Sequence, residues 1–179
     1  MNFIKRKIAD MHLRKLFAKE RFPINKSLND AESILVILPC DEAKRLEAIK
    51  WVDRLKVDFG IPTVESLYFA NRKPKKDEKV SKNQLNKTHL NWYSKPVRGH
   101  IIKLTEKTYD LLIDLEAANW TALQFITLET DAKMRVGRRS KFKEPYLDMM
   151  IDTDNNQSIG VLLEQIEKYL SIFEDKVTV

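Results

Sequence analysis

Residues 33–38 read Ser-Ile-Leu-Val-Ile-Leu, and residues 110–115 read Asp-Leu-Leu-Ile-Asp-Leu. A strand with one wet face alternates apolar and polar residues; the first of these runs does not alternate at all. Such a run needs cover on both faces, as a central strand has in a parallel sheet between helix layers. Pro39 ends the first run. Asp41 then offers an N-cap for a helix through about Phe59, with Ala48, Val52, Leu55 and Phe59 at helical spacing. Gly60 and Pro62 stop that helix, and Val64 to Phe69 supplies the next strand. This β-α-β order predicts a right-handed crossover onto a parallel neighbour.

The rest of the chain continues the alternation. Asp110–Leu115 is a second buried-type strand, expected beside Ile34–Leu38. A helix is predicted over Trp120–Leu128, a short strand over Ala132–Val136 ended by Gly137, a basic turn over 138–144 and a strand over Tyr146–Ile151. Ile159, Leu162, Leu163, Ile166, Leu170 and Phe173 mark a final amphipathic helix, the strongest periodic signal. Residues 71–87 read as an exposed loop or a Lys-guarded edge strand, and 101–108 as a short connector. The expected fold class is α/β, a Rossmann-like sandwich with a mostly parallel sheet, over roughly residues 30–179. The 179 residues suffice for one such domain. Residues 3–21 read as a preceding helix, with Ile4, Ile8 and Met11 on one face and Leu13, Leu16 and Phe17 widening it. The expected organisation is a basic N-terminal helix or arm over 1–27, then a single domain over 28–179 with a basic loop insertion at 71–100.

Charge divides the chain unevenly. Residues 1–27 hold eight Lys or Arg against two acids, and residues 71–100 hold nine against two. Residues 28–70 hold five against eight, and residues 101–179 ten against fourteen. A mildly acidic body therefore carries two basic segments, which attract phosphate on nucleic acid or on an anionic lipid surface. The predicted anion-binding residues are Lys5, Arg6, Lys7, Arg14, Lys15, Lys73, Lys75 and Lys76. Asn91, Trp92, Tyr93 and Lys95 add aromatic groups able to stack bases, or to anchor the loop on the core.

The usual chemical signatures are absent. The four glycines (60, 99, 137 and 160) are too scattered for a dinucleotide or phosphate loop. Asp41 and Glu42 would occupy the helix end where a phosphate would otherwise sit. They also oppose a thiolate at Cys40, the single cysteine, which reads as a structural residue. His12, His89 and His100 lack zinc-ligand spacing. Asp110, Asp114, Glu116, Asp148, Asp152 and Asp154 gather near two strand ends, as caps and solvated charges or as an acid–base or Mg²⁺ pair. No cofactor is indicated. One cysteine, no apolar run of about 20 residues and no secretory leader point to a cytoplasmic setting.

Two resemblances follow from particular segments. Tyr109–Glu116, followed by Ala132–Gly137 (Ala-Lys-Met-Arg-Val-Gly), resembles the N-terminal domain of heptosyltransferase-type GT-B glycosyltransferases. The Gly-Asp pair of that family is missing after the first strand, and 179 residues leave no room for the second domain. The resemblance therefore does not imply catalysis. Through Asn91–Pro96, Tyr109–Asp114, Ala132–Gly137 and Tyr146–Asp152 the chain is similar, over nearly its whole length, to a family of uncharacterised Bacteroidota proteins. That similarity implies the α/β fold and no established activity.

Three functional expectations follow. The first is a non-catalytic domain docking on RNA or a ribonucleoprotein through residues 1–27 and 72–98. The second is a small-ligand or nucleotide-sugar binder or enzyme related to half of a GT-B glycosyltransferase, with Asp41, Asn91, Trp92, Lys95 and Asp114 at the sheet's carboxyl edge. The third is peripheral attachment to an anionic membrane surface. The absence of a catalytic motif favours the first. The oligomeric state is not encoded in any of these patterns.

Overall fold

In the computed structural model, which describes residues 3–97, 99–153 and 158–172, the two apolar runs lie side by side. β1 (Ser33–Ile37) pairs in parallel with β4 (Thr108–Asp114), placing Leu35 opposite Leu112 and Ile37 opposite Asp114. β2 (Thr63–Ala70) and β3 (Gln84–Asn86) extend the sheet on one side, and β5 (Asp131–Arg138) and β6 (Met149–Ile151) on the other. The order is β3-β2-β1-β4-β5-β6 and every pairing is parallel. Chain direction across the sheet reverses between β1 and β4, the switch point of a Rossmann-like fold.

The absence of alternation in residues 33–38 is explained by the two layers. Ile34 and Val36 join one core, with Leu111, Ile113 and Val136, under α2 (Glu42–Asp58) and α5 (Ile159–Ser171). Leu35 and Ile37 join the other, with Leu112, under α3 (His100–Thr105) and α4 (Thr121–Glu129). All four side chains are fully buried. Asp41 caps α2 by accepting from the Lys44 amide at 2.9 Å. At the other end Gly60 takes φ +63°, the left-handed position that favours glycine. Ile166 and Leu163 of α5 are 0% and 5% exposed. Each replaced by Ala is expected to cost about 2–5 kcal/mol in denaturant unfolding, as buried large-to-small changes do. A loss within the ~0.5 kcal/mol range of surface sites would remove α5 from the core.

A third apolar cluster joins α1 (Phe3–Phe17) to the body. Ala9 and Leu13 are buried against Phe125, Leu128, Tyr146 and Leu147, with Leu16 and Phe17 beside them. The basic helix is thus built onto α4 rather than projecting as an arm, and it ends at Phe17, four residues short of the expected end.

Of the two forms expected for 71–87, the edge strand is present: β3 ends the sheet, with its three residues buried. Other boundaries differ from expectation. Gly137 lies within β5 and does not end it; a Cβ there would come 2.6 Å from the Asp114 carbonyl oxygen, so only glycine lets β5 pass. Of the expected basic turn, Arg138 belongs to β5 and Lys143 is buried. The turn around Lys143–Leu147 buries Tyr146 and Leu147, which confines β6 to Met149–Ile151. Asp154 and Phe173 lie outside the described residues. No helix among the described residues is long and apolar enough to cross a membrane.

Candidate ligand-binding groove

Parallel α/β sheets present ligand sites at the carboxyl ends of their strands, first of all at the switch point. Here the crevice between β1 and β4 is filled by the protein itself. The Glu116 carboxylate accepts from the Cys40 amide at 2.6 Å and from the Ala118 amide at 2.7 Å. Asp114 accepts from the Glu116 amide at 3.0 Å and pairs with Lys143 Nζ at 2.9 Å. Lys143 also donates to the Glu116 carbonyl. These groups occupy the Cys40, Glu116 and Ala118 amides and the Lys143 ammonium, and about 70 Å³ of cavity remains, with Lys44 and Arg138 in its lining. Burial, then the Glu116 carboxylate, pushes the Cys40 thiol well above its ordinary range, which disfavours a thiolate there.

Open space lies further along the same edge, beyond β2 and β3. A cavity of about 630 Å³ is bounded by Lys5 of α1, Lys87 after β3, Asn91 and Trp92, and Asn119 and Trp120 at the start of α4. Its wall residues Phe69 and Asn71 also line a second cavity of about 370 Å³. Arg72 of that second cavity lines a third, of about 470 Å³, with Lys75 and Lys76. Neighbouring hollows thus share wall residues near the carboxyl ends of β2 and β3 and are together called the groove; Asp77 and Glu78 also line the third.

Each part of the groove has a local cause. Asn91 Oδ1 accepts from the amides of Tyr93 and Lys95 at 3.1 and 2.9 Å, closing a tight turn in which Ser94 takes φ 72°. The turn sends Tyr93 inward, stacked on His12 with ring centroids 5.0 Å apart, and leaves Trp92 55% exposed at the rim. Trp120 stands edge-on to Phe69 at 5.4 Å. It occupies the N-cap position of α4, and its side chain supplies no cap acceptor. The positive end of that helix is therefore open toward the cavity, and the buried Trp120 Nε1 has no hydrogen-bond partner. Burial lowers the pKa of His89, whose Nδ1 accepts from the Asn86 amide at 3.3 Å. Arg72 is held by Glu78 through two 2.6 Å contacts, and that hydrogen bonding pulls the Glu78 carboxyl down to about 2. Lys5, Lys87, Lys75 and Lys76 join no ion pair among the described residues.

The predicted residues divide accordingly. Lys5, Asn91, Trp92, Lys75 and Lys76 line the groove, with Lys73 exposed next to Arg72. Arg6, Lys7, Arg14 and Lys15 are exposed on α1 outside its walls, Lys7 lying over the Phe3 ring at 4.7 Å. Lys95 turns away to pair with Glu129 at 2.5 Å. Asp41 caps α2, and Asp114 is sealed in its ion pair. Lys87 falls within the expected docking segment 72–98, whereas Asn119 and Trp120 were not anticipated. The signal for them was a helix after the second central strand with no Ser, Thr, Asp or Asn immediately before Thr121.

Strand order, parallel pairing and the hollows at the carboxyl edge define a Rossmann-like α/β domain. The chain belongs to a family of unknown function, DUF6913, whose model matches residues 5–173. No curated protein and no solved structure matches it.

Proposed function

We propose that this chain is a non-catalytic binding protein for single-stranded RNA, which lies along the groove at the carboxyl edge of β2 and β3. The observation that carries this reading is that the two basic segments, distant in sequence, line one hollow together: Lys5 comes from the first, and Lys87 and Trp92 from the second. A charged trough with an exposed indole suits a strand whose phosphates track the cations while a base stacks.

Fluorescence anisotropy with a labelled single-stranded oligoribonucleotide tests this. Trp92→Ala is expected to weaken binding by about 5- to 150-fold, the effect of one stacked base. Lys5→Gln and Lys87→Gln are each expected to reduce the slope of log K against log salt by about 0.7. Absence of binding at low salt would refute the reading, as would equal binding by all three variants. A phosphatidylserine vesicle arm covers membrane attachment, since Phe3 and Ile4 are exposed beside Lys5–Lys7. A second reading, a nucleotide-sugar or other small-ligand site, is favoured by the 630 Å³ volume of the first hollow, within the range of small-molecule pockets. Displacement of RNA by a nucleotide sugar at micromolar concentration would select it.

A further inference from the structure

A separate cavity of about 210 Å³ lies toward the other edge of the sheet, where the ends of α1 and α4 meet the turn before β6. Part of its wall is apolar, with Phe17 stacked on Tyr146 at 6.1 Å and Leu16 and Leu128 alongside, and the rest is polar. Its polar side is cationic: Lys19, Arg21 and Arg135 face a single carboxylate, Asp148. That carboxylate is already committed. It receives the Arg21 fork at 2.9 and 3.2 Å and the Arg135 backbone amide at 2.7 Å.

Arg135 is 3% exposed, and its side chain forms no ion pair among the described residues. Its hydrogen bonds leave only from Nη2, to the carbonyls of Leu128 and Thr130 at 3.3 and 2.9 Å, where they cap the end of α4. Nε is buried with no partner. Burial, reinforced by the charge of Arg21, pulls the guanidinium pKa down to about 10. A buried guanidinium with unused donors is costly until an anion completes it.

We propose that this cavity binds a small monocarboxylate with an apolar body, its carboxylate on Arg135 and its hydrocarbon part against Phe17, Tyr146 and Leu128. The planar guanidinium matches a carboxylate, and the apolar walls would be left uncovered by a bare inorganic anion. Two of the wall residues belong to α1, so the ligand would also tie that helix to the body.

Calorimetric titration of the full chain with benzoate and hexanoate tests this, with benzyl alcohol as the neutral match and sulfate as the bare anion. Saturable one-to-one binding of a carboxylate is expected, at least about tenfold tighter than benzyl alcohol or sulfate, the size of a hydrogen bond to a charged group. Arg135→Gln is expected to weaken it by a similar factor, and Lys168→Gln, on the outer face of α5, to leave it unchanged. Because Arg135→Gln also removes a helix cap, a readout on the unmodified chain accompanies it. The Arg135 Nε–H resonance is expected to shift with benzoate and to saturate along the calorimetric isotherm. Carboxylates bound no tighter than benzyl alcohol or sulfate, or an Arg135 resonance that does not move, would overturn the proposal.

Discussion

Asp114→Ala is expected to lower the unfolding free energy by about 3–5 kcal/mol, the cost of leaving one member of a buried ion pair alone. Asp114 and Lys143 are 3% and 2% exposed. Without the carboxylate, the ammonium keeps the Glu116 carbonyl and the face of the Phe142 ring at 6.0 Å as partners among the described residues. The pair itself is not a strong net source of stability. Burial pushes the Asp114 carboxyl above its usual range despite the adjacent Lys143, so ionising it inside the protein is unfavourable. Asp114→Leu combined with Lys143→Met is therefore expected to be within about 1 kcal/mol of the parent, or more stable. Urea unfolding of Asp114→Leu, Lys143→Met and the double variant closes the cycle. Additive losses would show that the two side chains do not act as a pair.

Phe125→Ala is expected to cost about 3–5 kcal/mol, since a fully buried aromatic ring leaves a large cavity. Its position makes the loss reach further than the core. Phe125 packs under α1 in the third apolar cluster and meets the Tyr93 ring at 6.2 Å, and Tyr93 holds the turn that displays Trp92. RNA affinity is therefore expected to fall with stability in this variant. Ile166→Ala removes a side chain from the opposite layer, under α5, and is expected to leave RNA affinity unchanged under conditions where both variants are folded. Parallel anisotropy and denaturant curves separate the two. Equal RNA binding by both variants would uncouple Phe125 from the groove.

The central sheet was readable because burial on both faces leaves a mark in one dimension: four consecutive apolar residues, Ile34 to Ile37, with two in each layer. The last helix was readable for a similar reason, with its buried residues on one stripe. What escaped depends on contacts between distant segments. Nothing near Ala9 and Leu13 indicates that Phe125 and Tyr146 will cover them. Lys143 looks like any residue of a basic turn until folding places it 2.9 Å from Asp114. The groove was half visible. Its charge and its tryptophan stand out in the sequence, whereas Trp120 and Lys5 are brought together only by the packing of α1 on α4. Lys95 was misleading because the turn at Asn91 and Ser94 reverses the chain between it and Trp92.

The docking of α1 on α4 has a consequence for the newly made chain. Synthesis proceeds from the N-terminus at roughly 5–20 residues per second, so the helix over Phe3–Phe17 leaves the ribosome several seconds before Thr121–Glu129 is translated. In that interval Leu13, Leu16 and Phe17 lack Phe125, Leu128, Tyr146 and Leu147, which complete their cluster in the finished fold. Completion of α4 and of the turn holding Tyr146 and Leu147 then withdraws the apolar face into the body and brings Lys5 to the mouth of the finished groove. A nascent chain stalled before residue 121 would therefore present this helix uncovered, and release of the hydrophobic stripe from whatever shields it becomes a late step of maturation.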